Sequence, residues 1–580
     1  MRISPIAGVL LCLSASMVIG QESTPAPVIK KRTELVLIPA IVKDRHEAHV
    51  SGLTREDFRI LENGKPQDIK VFEEINTGTE RPRPVEPSAP NEFTNRVAPG
   101  QDSRPQRLTV IAFDLLNMPT LRQANARKAL WEFLSETAGS MEPTAVYSIG
   151  SKGVSVVVDF TTDPRLVREA LDRLKLGRRV AADASQEGKS HAGPAFHSEG
   201  DSNVAPSATI SAGTGAGRMS AIITQMEALQ QQIELNMTSQ LRRYTVLETL
   251  TGLQQIAQAC ALVPGRKSLL WVTGGFPFDV SPTDMMIHGQ EATFRGGRRD
   301  WSDLYPDYLR TWRALHDAQV VLYPIDVRGI NNPMLMDPSI HNLNDLAGSI
   351  GTYGQQQNNT TEYSFAQATG GKAFFGTSDL KEAFEQATRD SDQYYMLGYY
   401  ITPDAHTKPG WHPITVKSDR PGVEVRARRG YFYNPTVADL DATRERDLSA
   451  GVFSPIEFTA ITLTARWTGI TQSKGVGKQA DFQLVMPANF TDIEPPENRI
   501  KLDIVAQVKT LEGNPVGETY SRSIEGKLNE QQSQQLRDKG FTYAGGLQGL
   551  PPGDYTVRFV VRDGLNGHMG SVNAPLKVKP

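Results

Sequence analysis

The stretch 108-LTVIAFDLLNMPT-120 decides how the middle of the chain is read. A nearly unbroken apolar run from Leu108 to Phe113 ends on Asp114, and the chain then passes through Leu-Leu-Asn-Met-Pro into a helical pattern. A strand covered on both faces reads as a continuous apolar run, which favours a parallel sheet. The carboxyl ends of such strands are where open α/β sheets present ligand-binding groups. Asp114 therefore raises one question: whether it begins a metal site or only anchors a loop.

Working outward, the same rhythm recurs. Strands are expected at 108-LTVIAFD-114, 144-TAVYSIG-150, 154-VSVVVDF-160, 267-KSLLWVTG-274, 319-QVVLYPID-326 and 372-KAFFG-376. Helical spacing falls between them at 121–137, 164–176, 303–318 and 378–391. This alternation predicts a mostly parallel, doubly wound sheet over 107–435, with Asp114, Thr273 and Asp326 at its carboxyl edge. An insertion over about 177–262 interrupts it. The insertion is a small-residue polar loop followed by a long helical pattern from about Met219 to Ala261, read as a surface helix packing on its own domain or as a partner-binding one.

The flanks differ. Residues 33–75 read as a small β domain, with strand 34-ELVLIPAIV-42 and a hairpin in 58-FRILENGKPQDIKVF-72 turning at Asn63-Gly64. Residues 76–106 are proline-rich and read as a linker. Strands at 393–401, 411–418 and 423–432 are expected to close an edge of the α/β unit. From 455 to 580 alternating strands, ending in 550-LPPGDYTVRFVVRDG-564, predict an immunoglobulin-like β-sandwich.

A chain of 580 residues exceeds one hydrophobic core. Its formal net charge of -3 argues against a nucleic-acid binder. The N-terminus, 1-MRISPIAGVLLCLSASMVIGQES-23, has the basic start, short apolar run and small residues of a secretory signal peptide, with cleavage expected after Gly20. No later run reaches the roughly 20 apolar residues of a membrane helix. A secreted or periplasmic protein without a transmembrane segment is expected. Cys12 would leave with the signal, and Cys260, spaced helically with Leu253 and Ile256, reads as a buried small hydrophobe.

Taken together, 52-GLTREDFRILENGKPQDIKVFEE-74, 112-AFDLLNMP-119, 268-SLLWVTGGFPFD-279, 366-AQATGGKAFF-375, 394-YYMLGYYI-401 and 423-VEVRARRGYF-432 resemble the von Willebrand factor A (VWFA)-related exported proteins of acidobacterial type. The resemblance runs from about Glu34 to Tyr433. It implies a VWA-like α/β domain between the two β regions. It also implies a magnesium-dependent adhesion site, with an Asp-x-Ser-x-Ser run after the first strand, a loop threonine, and an aspartate within Thr-Asp-Gly after the fourth. Asp114 matches the first aspartate, but Leu116 and Met118 stand at the serine positions and Gly274 at the distant aspartate. The loop threonine has no assigned counterpart; Thr214 offers itself by composition alone. Asn117 and Thr273 are the substitute oxygens, with Phe276 and Asp326 as the rest of a binding rim. Phe276 is expected to be exposed there.

Other chemistries have weaker anchors. Neither 213-GTGAG-217 nor 370-GGK-372 has the context of a phosphate-binding loop. His46 and His49 form a close pair without metal-ligand spacing, and no G-x-S-x-G elbow occurs. Tyr394, Tyr395, Tyr399 and Tyr400 suit strand packing better than a sugar platform, and Arg426 and Arg428 suit a solvated edge. The expectation is an exported, non-catalytic protein-binding or adhesion-type molecule with a degenerate metal site, no assigned cofactor beyond magnesium as a candidate, and no nucleic-acid partner. The alternatives are a periplasmic enzyme using residues on the insertions, and a scaffold of an envelope complex.

Overall fold

A computed structural model of the chain describes residues 34–76, 91–95, 108–118, 120–136, 143–174, 226, 240–261 except 242, 266–276, 304–328, 361–401 except 378, 410–433, 443–473, 477–491 except 489, and 498–579. The expected signal peptide, the polar loop with Thr214 and 213-GTGAG-217, and most of the proline-rich linker lie outside these residues. Among the described residues no helix is long and apolar enough to cross a membrane.

The described strands form five sheets. The run that opened the sequence is the centre of one of them. Leu108–Asp114 is flanked in parallel by Thr144–Gly150 and Lys267–Thr273, and Val320–Asp326 adds in parallel beyond Lys267–Thr273. Gly153–Thr161 then pairs antiparallel with Thr144–Gly150. Only Ser151 and Lys152 separate those two strands, too few for a parallel crossover. One face of this mixed sheet packs on the 243–259 helix, on Tyr305–Asp317 and on Phe365 of the 361–369 helix. The other face packs on Thr120–Glu136, Pro164–Arg173 and Leu380–Arg389.

The remaining four sheets are wholly antiparallel, which overturns the doubly wound, mostly parallel class expected for the chain. Among the described residues, parallel ladders are confined to the one mixed sheet. Apolar content predicts that a strand is buried, but its direction is set by the partner that the tertiary fold supplies. The expected strand at 372–376 shrinks to a single bridge between Phe374 and Ile325.

The N-terminal strands do not stand as a unit of their own. Glu34–Asp44 lies between Gln393–Ile401 and Val423–Ala427, and Phe58–Glu62 pairs with Gly410–Ser418. The Asn63-Gly64 hairpin is present, with positive φ at both residues and Glu62 opposite Lys65. A few strands rarely hold alone in water, and here the missing face comes from chain more than 300 residues away, as in the Leu53 amide donating to the Tyr395 hydroxyl. Glu92–Thr94, inside the expected linker, joins the edge of a C-terminal sheet beside Thr464–Arg466. That sheet and the one containing Arg499–Thr510 and Gly553–Asp563 enclose a second large core around Phe482, Ile504 and Phe559.

The described part of the insertion helix packs its apolar stripe on its own unit, since Val246, Leu250, Leu253, Ile256 and Cys260 are all fully buried. Burial pushes the Cys260 thiol up to about 12. Cys260 is therefore expected to resist iodoacetamide in the folded chain and to react fully once the chain is unfolded in guanidinium. Alkylation at a free-thiol rate in native buffer, read by peptide mapping, would contradict this packing.

Candidate functional site

The carboxyl ends of the parallel strands bring together Asp114, Thr273 and Asp326, as their position in the sequence predicts. What they do there differs from the expected binding rim. Asp114 is wholly buried. Its Oδ1 accepts from the Asn117 backbone N–H at 3.2 Å. Its Oδ2 accepts from Asn117 Nδ2 at 2.6 Å, Thr273 Oγ1 at 3.1 Å and Trp271 Nε1 at 3.2 Å. Asn117 Nδ2 also donates to Thr249 Oγ1 at 3.0 Å, tying the loop to the 243–259 helix.

Asn117 and Thr273 are thus hydrogen-bond donors to the carboxylate, not additional oxygens aimed at an ion. Burial pushes the Asp114 carboxyl up to about 6, and the donors from Asn117, Thr273 and Trp271 pull the other way. Leu116 and Met118 are buried in opposite cores. Among the described residues no group of three acidic, histidine or cysteine side chains is arranged to hold a metal ion. Magnesium wants about six oxygens in near-octahedral array. The residues present do not fit it.

Phe276, expected to be exposed, is fully buried. Its ring stands edge-on to Trp271 at 5.6 Å and to Tyr308 at 6.1 Å between centroids. Asp326 is nearly enclosed and is held by Arg328, whose Nε donates to Oδ1 at 2.9 Å and whose Nη2 donates to Oδ2 at 2.8 Å. Burial acts to lower the Arg328 pKa, but the Asp326 hydrogen bonds and charge outweigh it and hold it above its ordinary value. Glu362, at the start of the 361–369 helix, completes the cluster. It is wholly buried, and burial first, then the charge of Asp326, pushes its carboxyl well above the usual range. Its neighbour Tyr363 is half exposed.

Sequence reasoning missed Arg328, Glu362, Trp271 and Thr249. The spacing 326-DVR-328 carried a signal for the first, because an arginine two residues past a strand-end acid can fold back on it. Glu362 lies 36 residues after Asp326, and nothing in its local pattern announces where it goes.

The other sequence candidates are structural. Tyr394, Tyr395 and Tyr399 are buried, and only Tyr400 of the four is exposed. Arg426 pairs with the buried Asp390, and Arg428 is buried against His316. The expected solvated edge is therefore an internal seam between two sheets and the helices beside them. His49 stacks on Tyr395 at 5.6 Å. In 370-GGK-372, a side chain at Gly371 would collide with the Leu322 carbonyl, so that glycine serves close packing.

No protein-family model matches the chain, and no curated protein matches it. Among solved structures it is similar to the pilus adhesin SpaC from Lactobacillus rhamnosus GG in its open conformation, with a TM-score of 0.25 and 10% identity. That similarity covers 92% of this chain and 58% of the adhesin, so the chain spans less than two thirds of its length.

Proposed function

We propose that this chain is an exported, non-catalytic protein-binding molecule of the adhesion type, related through its sequence motifs to the VWFA-related exported proteins. The observation that supports this reading is the use made of Asp114. A carboxylate that would serve as base, nucleophile or ligand needs a free lone pair directed at a substrate or ion. Here Oδ2 takes donors from Asn117, Trp271 and Thr273 and Oδ1 takes one from the Asn117 backbone, all inside a closed site, so the group fixes the strand ends in place. A rim built that way is a rigid platform. Contact with a partner then falls to exposed side chains at its border, and Tyr363, next to the rim residue Glu362, is the aromatic placed for it. Exposed aromatics with one polar tip are favoured anchors at protein interfaces.

The test is affinity capture from envelope extract on the chain lacking residues 1–20, beside Tyr363→Ala. A reproducible protein partner whose capture falls at least about tenfold in the variant is expected, in line with the loss of an interface anchor. Turnover on a substrate panel, with no partner captured, would overturn the proposal.

A further inference from the structure

The implied adhesion site balances its acids with a divalent cation, yet this chain has Gly274 where that pattern has its second aspartate. The positive charge at this end of the sheet comes from the chain itself. Arg328 follows the Val320–Asp326 strand by two residues and turns back on its last carboxylate. Asp326 Oδ1 receives the Arg328 backbone N–H and Nε, each at 2.9 Å, and Oδ2 receives Nε at 3.0 Å and Nη2 at 2.8 Å.

The guanidinium lies directly over Gly275. A Cβ at that position would stand 2.6 Å from Arg328 Nη1 and 2.8 Å from Cζ, and Gly275 also has a φ of +102°. Residue 275 must lack a side chain for the arginine to rest there. Glu362 is wholly enclosed, and among the described residues neither of its carboxylate oxygens has a side-chain hydrogen-bond partner, only the Phe276 backbone N–H acting weakly on it. The charged groups that act on it are Asp326, Arg328 and Asp114. Two buried acids, Asp326 and Glu362, thus share this cation, with the charge of Asp114 also acting on Glu362.

We infer that Arg328 is the resident cation of the rim: its guanidinium, seated over Gly275, clamps Asp326 and offsets the buried acid Glu362, and this end of the sheet takes no divalent metal. A guanidinium suits that role because its planar fork satisfies a carboxylate at two points and is weakly hydrated, so it enters a dry site at lower cost than an ammonium. The inference concerns charge balance within the chain and stands whether or not the partner-binding proposal does.

Thermal unfolding by calorimetry tests it, on the chain lacking residues 1–20, in chelator and in saturating manganese or magnesium. The wild type is expected to melt at the same temperature in all three. Arg328→Gln is expected to melt lower by roughly 5 °C. Adding Glu362→Gln to Arg328→Gln removes the unbalanced acid and is expected to restore at least half of the loss. Should Arg328→Gln alone fail to fold, recovery of a folded double variant is the same readout. A metal-induced rise in the wild-type melting temperature would overturn the inference, and so would the absence of rescue by Glu362→Gln.

Discussion

Asp114→Ala is expected to destabilise the chain by roughly 2–4 kcal/mol at neutral pH, although the residue stands where a metal ligand is expected. Alanine leaves Trp271 Nε1, the Asn117 amide and backbone N–H, and Thr273 Oγ1 without their shared acceptor in a closed site. Each stranded donor costs about 1–3 kcal/mol, and relief from burying a carboxylate offsets part of the sum. A ligand to a surface metal would behave differently, losing ion affinity with little change in stability.

The pH dependence separates the two further. Asp114 is held at about 6 in the folded chain against an ordinary 3.8, so the folded state binds its proton more tightly than the unfolded state. Its contribution to stability is fully present below about pH 3.8 and is lost as pH rises through 6. The difference amounts to on the order of 3 kcal/mol. Glu362, also raised, acts with the same sign. Urea unfolding at pH 7 and pH 5 should show the wild type gaining stability at the lower pH, with a smaller gain in Asp114→Asn. An unchanged unfolding midpoint in Asp114→Ala would remove Asp114 as an anchor of the strand ends.

The second large effect lies far from the rim. Arg562 is wholly buried on Gly553–Asp563, with Nε and Nη2 each 3.1 Å from Asp447 Oδ2 and Nη1 3.6 Å from Asp503 Oδ2. Asp447, on the Arg444–Phe453 helix, also receives Arg310 Nη2 at 2.7 Å from the Tyr305–Asp317 helix beside the mixed sheet. Asp503 receives Arg444 Nε at 2.8 Å. The network thus joins the C-terminal sheets to the mixed-sheet unit through buried charges.

Removing one member of such a network strands the others in low dielectric, at a cost of about 3–5 kcal/mol. Arg562→Met should lose that much in urea unfolding, and the two halves should then melt separately by calorimetry. Arg562→Met combined with Asp503→Leu should recover a large part, because a packed apolar pair replaces a stranded charge. A single, unshifted transition in Arg562→Met would show that the network does not couple the halves.

How much of this was legible beforehand follows from which forces are local. Alternation and apolar runs are properties of a few neighbouring residues, so the strands at 108–114, 144–150 and 267–273 and the turn at Asn63-Gly64 could be read directly. Cys260 was legible as core for the same reason, through its spacing with Leu253 and Ile256. The class of the chain was not. Whether a strand runs parallel or antiparallel depends on which distant segment donates to it, and Glu34–Asp44 finds its partners beyond residue 390.

The rim shows the same division. Sequence placed Asp114, Thr273 and Asp326 at one edge, because strand ends are local features. Tertiary structure decided that Phe276 lies inside against Trp271 and Tyr308, that Asp114 is enclosed and accepts from Asn117, Trp271 and Thr273, and that Arg328 lies over Gly275 beside Glu362. Burial and charge balance are sums over everything that packs nearby. The sequence by itself determined where the strands end and which acids sit there, and only the packing of distant helices around those ends made them a closed, self-neutralised joint.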